Sequence, residues 1–197
     1  MDILKQAYNE YLEYLKNNKQ ISFLEFAYNH PNKSLAGDIE IVDKEDNVIG
    51  IKNFIDARYF KDTIRGSAVI TFKDNLYKEI LVTKRSKYQI FDPLKLCFPS
   101  GSLNLNENYL EGAKREYFEE LYCGKIKDLE FEFLFKIRNH LVVYRTIDNG
   151  PFSIDKEEVD SIEFVDINKL FKELDNPNNN LTMVTRLYLE EYKKFVK

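Results

Sequence analysis

A chain of 197 residues suits one domain with a small appendage and is long enough to bury roughly 70% of the surface its unfolded form exposes. With 44% hydrophobic and 31% charged residues and only 7 Gly and 5 Pro, it is neither fibrous nor intrinsically disordered. A net charge of -4 supplies no global attraction to nucleic acid or an anionic membrane, so a phosphate-bearing ligand must be held by local cations or by a metal, and small substrates are favoured over polymers.

Cys97 and Cys123 lack CxxC or metal-ligand spacing and read as free thiols in a reducing compartment. The polar N-terminus has no apolar signal region, and no later run approaches the roughly 18 apolar residues of a membrane span. The expected location is the cytoplasm.

Leu4, Ala7, Tyr8, Tyr11, Leu12 and Leu15 recur at helical spacing and predict an amphipathic helix over residues 2–17. A second short helix over 21–28 ends at His30-Pro31, since the residue before proline is pushed out of the α region. Residues 1–36 therefore form an expected N-terminal helical extension, whose apolar stripe packs on its own domain, makes a homodimer interface or acts as a lid. Residues 37–197 form the main domain. The alternation in DIEIVDKEDNVIGI predicts a β-hairpin over 38–51, turning at Glu45-Asp46-Asn47.

Strands follow at GSAVITF and KEILVTKR, then a Pro-punctuated loop, QIFDPLKLCFPSG. Alternating strands are expected near 129–138, 141–147 and 161–165, with a turn at Asp148-Asn149-Gly150-Pro151. Helices over 167–174 and about 182–196 close the chain. Strands with helices on both sides give an α/β sandwich with a mixed sheet.

The chemistry concentrates between Gly101 and Gly124. Gly101 is followed after five residues by Glu107, and after seven more by Arg115-Glu116-Tyr117, one residue, and Glu119-Glu120. On a helix Glu116, Glu119 and Glu120 share roughly a 100° sector, beside an apolar sector of Leu110, Ala113, Tyr117 and Leu121. Three clustered carboxylates repel and raise one another's pKa unless a cation sits among them. A hard ion such as Mg²⁺ suits them, because it prefers carboxylate oxygens and bridges to substrate phosphates. A solvated acidic face is the plainer explanation of such a run, but six specified positions match by chance only on the order of 10⁻⁷ per start.

This spacing resembles the Nudix box, and the resemblance runs from about residue 37 to the C-terminus. It implies the Nudix α/β/α sandwich and hydrolysis of a nucleoside diphosphate linked to another moiety, with Mg²⁺ or Mn²⁺. By position, Glu116, Glu119 and Glu120 would ligate metal, one of them serving as general base, and Ser100 would offer its backbone carbonyl. Arg115 and Glu107 would brace the loop and helix beside the box glycine, Gly101. Tyr122 stands where the family usually has glycine, and Gly124 reads as a shifted helix cap.

The stretch around IVDKEDNVIGIKNFIDARYF also looks like the branch of the superfamily related to isopentenyl diphosphate isomerase. Ser100-Gly101-Ser102 nevertheless replaces that isomerase's Cys-Gly-His, and Cys97 lies three residues too early. A similarity to coenzyme A pyrophosphatases at LVTKRS and FPSG lacks that motif's arginine and glycine, here Ile90 and Leu94. The expected partner is a small, nucleotide-derived phosphorylated substrate. A ligand-sensing module that does not turn substrate over is the competing class.

Further candidates lie outside the box. Glu158, with Glu157 beside it, falls where many relatives carry an acid over the metals. Arg85, with Lys84 and Lys87, could meet substrate phosphates. The loops 88–95 and 148–155 are expected to read the leaving group, and a tyrosine to stack on a base. His30 and His140 read as structural.

Overall fold

The computed structural model describes residues 3–17, 21–29 and 37–196. His30 lies outside these residues. Among them no helix is long and apolar enough to cross a membrane.

Helices α1 (Ile3–Asn17) and α2 (Phe23–Asn29) pack on each other through Ala7, Phe23 and Phe26, flanked by Tyr8, Tyr11 and Ile21. Their aromatic cluster reaches the same chain's 88–90 segment: Tyr8 meets the edge of Tyr88 at 5.7 Å, and Ile90 packs against the cluster. This is the contact expected of an apolar stripe folded onto its own domain, with ring edges meeting ring faces.

Strands β1 (Asp38–Val42) and β2 (Val48–Asn53) form the expected hairpin, separate from the main sheet. Its turn is built by Asp43, whose carboxylate accepts the Glu45 and Asn47 amides at 2.9 Å, an Asx arrangement. Asp46 then docks the hairpin on the main domain. It accepts from Arg65 at 2.8 Å, Lys136 at 2.8 Å and the Tyr109 hydroxyl at 2.9 Å. Helix α3 (Phe54–Phe60), which the sequence reading does not include, follows directly. The Asn53 side chain caps it by accepting the Ile55 amide, and Ile55 and Ala57 are fully buried. Asn53 is thus the overlooked signal: a side-chain N-cap immediately after a strand.

The seven-stranded main sheet is mixed. Its path is β5 (Leu96–Cys97), β4 (Glu79–Arg85), β3 (Gly66–Phe72), β8 (Leu141–Ile147) and β7 (Glu132–Ile137), with β6 (Ser100–Ser102) on β3 and β9 (Val159–Asp166) on β4. β3 runs parallel to β8 along its whole length, and all seven of its residues are buried, as befits a central strand covered on both faces. Even-numbered Ala68, Ile70 and Phe72 face α5 (Ile167–Leu174) and α6 (Met183–Phe195), while Val69 faces α4 (Tyr109–Tyr122). These layers make the α/β sandwich.

Two details depart from expectation. The segment read as one loop contains β5 and β6, because β3 and β4 pair in register only at Phe72 and Ile80 and then diverge, leaving edges for these short strands. Helix α4 is capped at Cys123 (φ 48°, ψ 43°), one residue before Gly124 at φ 80°. Both amides reach the Phe118 carbonyl. Tyr122 stays helical because its ring is buried and its hydroxyl donates to Asp148, which moves the left-handed turn beyond it.

Candidate active site

The divergence of β3 and β4 opens a cleft of about 480 Å³ whose floor is β6 and the second half of α4, and whose roof is α3 with the 89–92 segment. Asn108 starts α4 with a reciprocal capping box, accepting the Leu110 and Glu111 amides while Glu111 accepts the Asn108 amide. This fixes where the glutamates of the next turns project.

Arg115 organises the entrance. Its Nε and Nη2 grip Glu107 at 2.8 and 2.9 Å, Nη2 also donates to the Ser102 carbonyl at 2.8 Å, and Nη1 donates to Glu116 at 2.7 Å and Glu119 at 3.1 Å. Such a fork needs the planar geometry of arginine. Burial alone would raise the Glu107 carboxyl, yet the bonds from Arg115 and the Asn104 amide hold it below the ordinary range. Gly101 is required for room, since a Cβ there would lie 2.0 Å from the Glu116 carboxylate.

Behind this brace Glu116, Glu120 and Glu158 bring one carboxylate oxygen each to within 4.8 Å of the others. Glu120 is the most buried, and the Ser100 amide donates to its Oε1 at 3.2 Å. Ser100 pairs with Ala68 in the antiparallel ladder. Because N–H and C=O of one residue point to the same side of such a strand, its carbonyl leaves the strand on the side of that amide. Burial, followed by mutual repulsion, pushes the Glu120 carboxyl well above its usual range and Glu158 up to about 7. Glu116 is raised for the same first reason, in spite of Arg115.

Glu158 arrives from far along the chain. The 148–155 segment runs along α4, with the Ser153 amide on the Leu121 carbonyl and the Asp155 amide on the Glu120 carbonyl, both at 2.9 Å. The Ser86 amide then holds the Glu158 carbonyl at 2.8 Å, one residue before β9 begins. Glu119 stands apart from the close trio, its side chain 46% exposed on the rim.

Arg85 lines the cleft, with Nε donating to the Phe91 carbonyl at 3.0 Å and Nη2 to Gln89 at 2.7 Å. Lys84 and Lys87 do not line it: strand alternation turns Lys84 to Asp160 at 3.1 Å, and Lys87 lies over the Tyr88 ring. Of the two expected reading loops only 89–92 borders the cleft, because 148–155 is held along α4 and sends Phe152 and Ile154 into the core. The accessible ring surface there comes from Phe54 and Phe91; Tyr188, the one tyrosine lining it among the described residues, is sealed in the core. Phe54 and Arg58 on α3, with Thr182 and Val184 at the start of α6, are cleft residues the sequence reading missed. Cys97 is buried beside Thr83, and burial pushes its thiol up to about 11. His140 sits in the β7–β8 turn, where burial lowers its pKa.

Comparison with known proteins decides the family, because the NUDIX domain model matches residues 63–187. The chain belongs to the Nudix family. An uncharacterized Nudix hydrolase of Yersinia pestis is 31% identical over 129 residues, spanning 63% of this chain and 70% of that protein. The structure of DR0079 from Deinococcus radiodurans superposes with a TM-score of 0.65 at 16% identity, covering 79% of this chain and 98% of that one. A MutT protein from Methanosarcina mazei Go1 gives 0.49 at 16% identity, over 68% and 95%. As a Nudix hydrolase the chain is an enzyme acting on pyrophosphate bonds.

Proposed function

We propose that this Nudix hydrolase is a Mg²⁺- or Mn²⁺-dependent diphosphohydrolase that cleaves the diphosphate linkage of a small nucleoside-diphosphate-type substrate. The observation that carries the reading is the convergence of Glu116, Glu120 and Glu158 at the foot of a cleft large enough for such a molecule. An all-oxygen donor set, with the Ser100 carbonyl on the same side, fits a hard divalent ion and does not fit a thiolate-seeking one. Bound there, the ion supplies charge neutralisation on the phosphate oxygens and acidifies a nearby water.

The chain's own residues supply the rest. Glu116 and Glu120 present fixed oxygens, since Arg115 and the Ser100 amide set their orientation. Arg115 acts through them, its forked donors all engaged by Glu107, Glu116, Glu119 and Ser102. Glu119, on the open rim, is available to join the ligand set or to take a proton from the attacking water, and Glu158 shares the second role. Arg85 faces the substrate phosphates from the opposite wall. The buried, weakly acidic Cys97 supports hydrolysis over cysteine-dependent isomerisation.

The test is product release across nucleotide sugars, ADP-ribose, dinucleoside polyphosphates, coenzyme A, nucleoside triphosphates and isopentenyl diphosphate, with Mg²⁺, with Mn²⁺ and with EDTA. Metal-dependent cleavage of one class supports the reading and names the substrate. Binding without turnover on every member would replace it with the ligand-sensing role. Comparing Glu119→Gln with Glu158→Gln in pH–rate profiles then identifies the proton acceptor, because its loss removes the acidic limb.

A further inference from the structure

The two ends of the cleft carry opposite charge. At the floor the glutamates converge; Arg58 faces the same space from the roof, and Arg85, on β4, lies between, close enough for its charge to act on Glu120 and Glu158. The arginines of this region differ in how they are satisfied. Arg115 is fully engaged, as described, and Arg65 is locked to Glu40 at 2.7 Å and Asp46 at 2.8 Å. Arg85 spends two donors on the Phe91 carbonyl and Gln89. For Arg58, among the described residues, no carboxylate lies within ion-pair distance; the nearby acid, Asp92, is paired with Lys95 at 2.6 Å. The Arg58 guanidinium rests on the Phe91 ring, 4.6 Å from its centroid, and Phe54 meets Phe91 edge-on at 5.9 Å.

That arrangement holds a half-buried cation rigidly and aims it into a cavity without neutralising it. A ring face stabilises the cation by only about 0.5–2 kcal/mol and leaves its in-plane N–H donors free. Burial, reinforced by repulsion from Arg85, lowers the Arg58 pKa, so the unliganded cleft bears an electrostatic cost. The Phe91 ring and the more distant charge of Asp92 relieve it only in part, whereas an anion lying between two guanidiniums would pair with it directly.

We infer that Arg58 is a specificity-determining residue, receiving an anionic group, phosphoryl or carboxylate, on the part of the substrate that extends from the carboxylate floor toward α3. The inference rests on the diphosphohydrolase reading for the placement of the scissile linkage. It selects, within that class, substrates with a second anionic group over their neutral counterparts. Neither residue 58 nor α3 belongs to the glutamate spacing, so this selectivity belongs to the roof and is separable from the chemistry at the floor.

Equilibrium binding to the full chain tests it, with matched probes that differ only in the extra charge: coenzyme A against 3′-dephospho-coenzyme A, NADPH against NADH, and UDP-glucuronate against UDP-glucose. The wild type should bind the charged member of at least one pair about tenfold more tightly, the worth of one charge-assisted bond. Arg58→Gln, which keeps a planar polar head without charge, should bring that ratio to about one, and Arg58→Lys should restore part of it. Equal affinity within every pair, binding of no member, or a preference that survives Arg58→Gln overturns the inference. A merely structural role would shift both members of a pair together and lower the melting temperature. Binding is read without turnover, so selectivity with no hydrolysis would sink the diphosphohydrolase reading alone, and hydrolysis with an unaltered ratio would sink this inference alone.

Discussion

Helix α4 borders two buried carboxylate environments of opposite design. On one side Asp148 accepts from the Tyr117 and Tyr122 hydroxyls, the Gly150 amide and Lys127. Burial opposes its charge, but these donors hold its carboxyl below the ordinary range. On the other side Glu120 and Glu158 have few donors and one another's charge, and their carboxyls rise. The same physics of burying an anion gives a strut where donors surround it and a set of mutually repelling acids where they do not. Compensated charge stabilises this fold; uncompensated charge gives it chemistry.

The sharpest way to break that contrast is Glu120→Gln. Turnover should fall by about three orders of magnitude, since charge held against the reacting phosphate is lost. The EDTA-treated protein should melt higher than wild type, since a repelled buried anion is gone. A lower melting temperature would show that Glu120 is a strut like Asp148.

Gly101→Ala comes next. Its methyl would occupy the Glu116 carboxylate position, so activity should fall about a hundredfold, the scale expected when reacting groups shift by an ångström. Circular dichroism should remain that of the native protein. Retained activity would mean that Glu116 need not lie over the glycine.

Asp148→Asn acts on the opposite end and should cost about 2 kcal/mol in urea melts while leaving the metal requirement intact, because charge-assisted bonds to a buried acid are lost. An unchanged midpoint would remove the strut from the comparison.

The smallest effect separates the two ends by pH. Glu120 and Glu158 have folded pKa values above the ordinary 4.5, so their ionisation destabilises the fold. In EDTA, stability should rise as pH falls from about 7 toward 4.5, and Glu120→Gln should flatten that slope. Asp148 has the opposite sign: its contribution is complete above 3.8 and is lost as pH falls through its depressed folded value. A metal-free stability curve without a rise on mild acidification would refute the assigned repulsion.

Much of this was legible in residue order. Apolar runs on either side of a turn located β3 and β4, alternation located β8, and helical spacing located α1 and α4, because side-chain pattern is a local property of each element. The spacing from Gly101 to Glu120 likewise determined that several glutamates project from one helix beside a bracing arginine. Glu158 could be proposed only from the family resemblance and its place before a strand, since nothing local couples it to a helix some forty residues earlier. The structure brings it to the trio through the 148–155 segment held on α4, with Glu119 left on the rim.

What tertiary structure alone decided was which side chains meet across the cleft. The divergence of β3 from β4, the insertion of β5 and β6, and the α3 roof that carries Phe54 and Arg58 depend on strand pairing between distant segments. Composition cannot express that pairing, because the free energy that selects one set of partners comes from burial shared by both faces of the sheet. Local spacing therefore determined that carboxylates cluster on one helix of this protein, and long-range packing decided which of them meet and the shape and charge of the space they face.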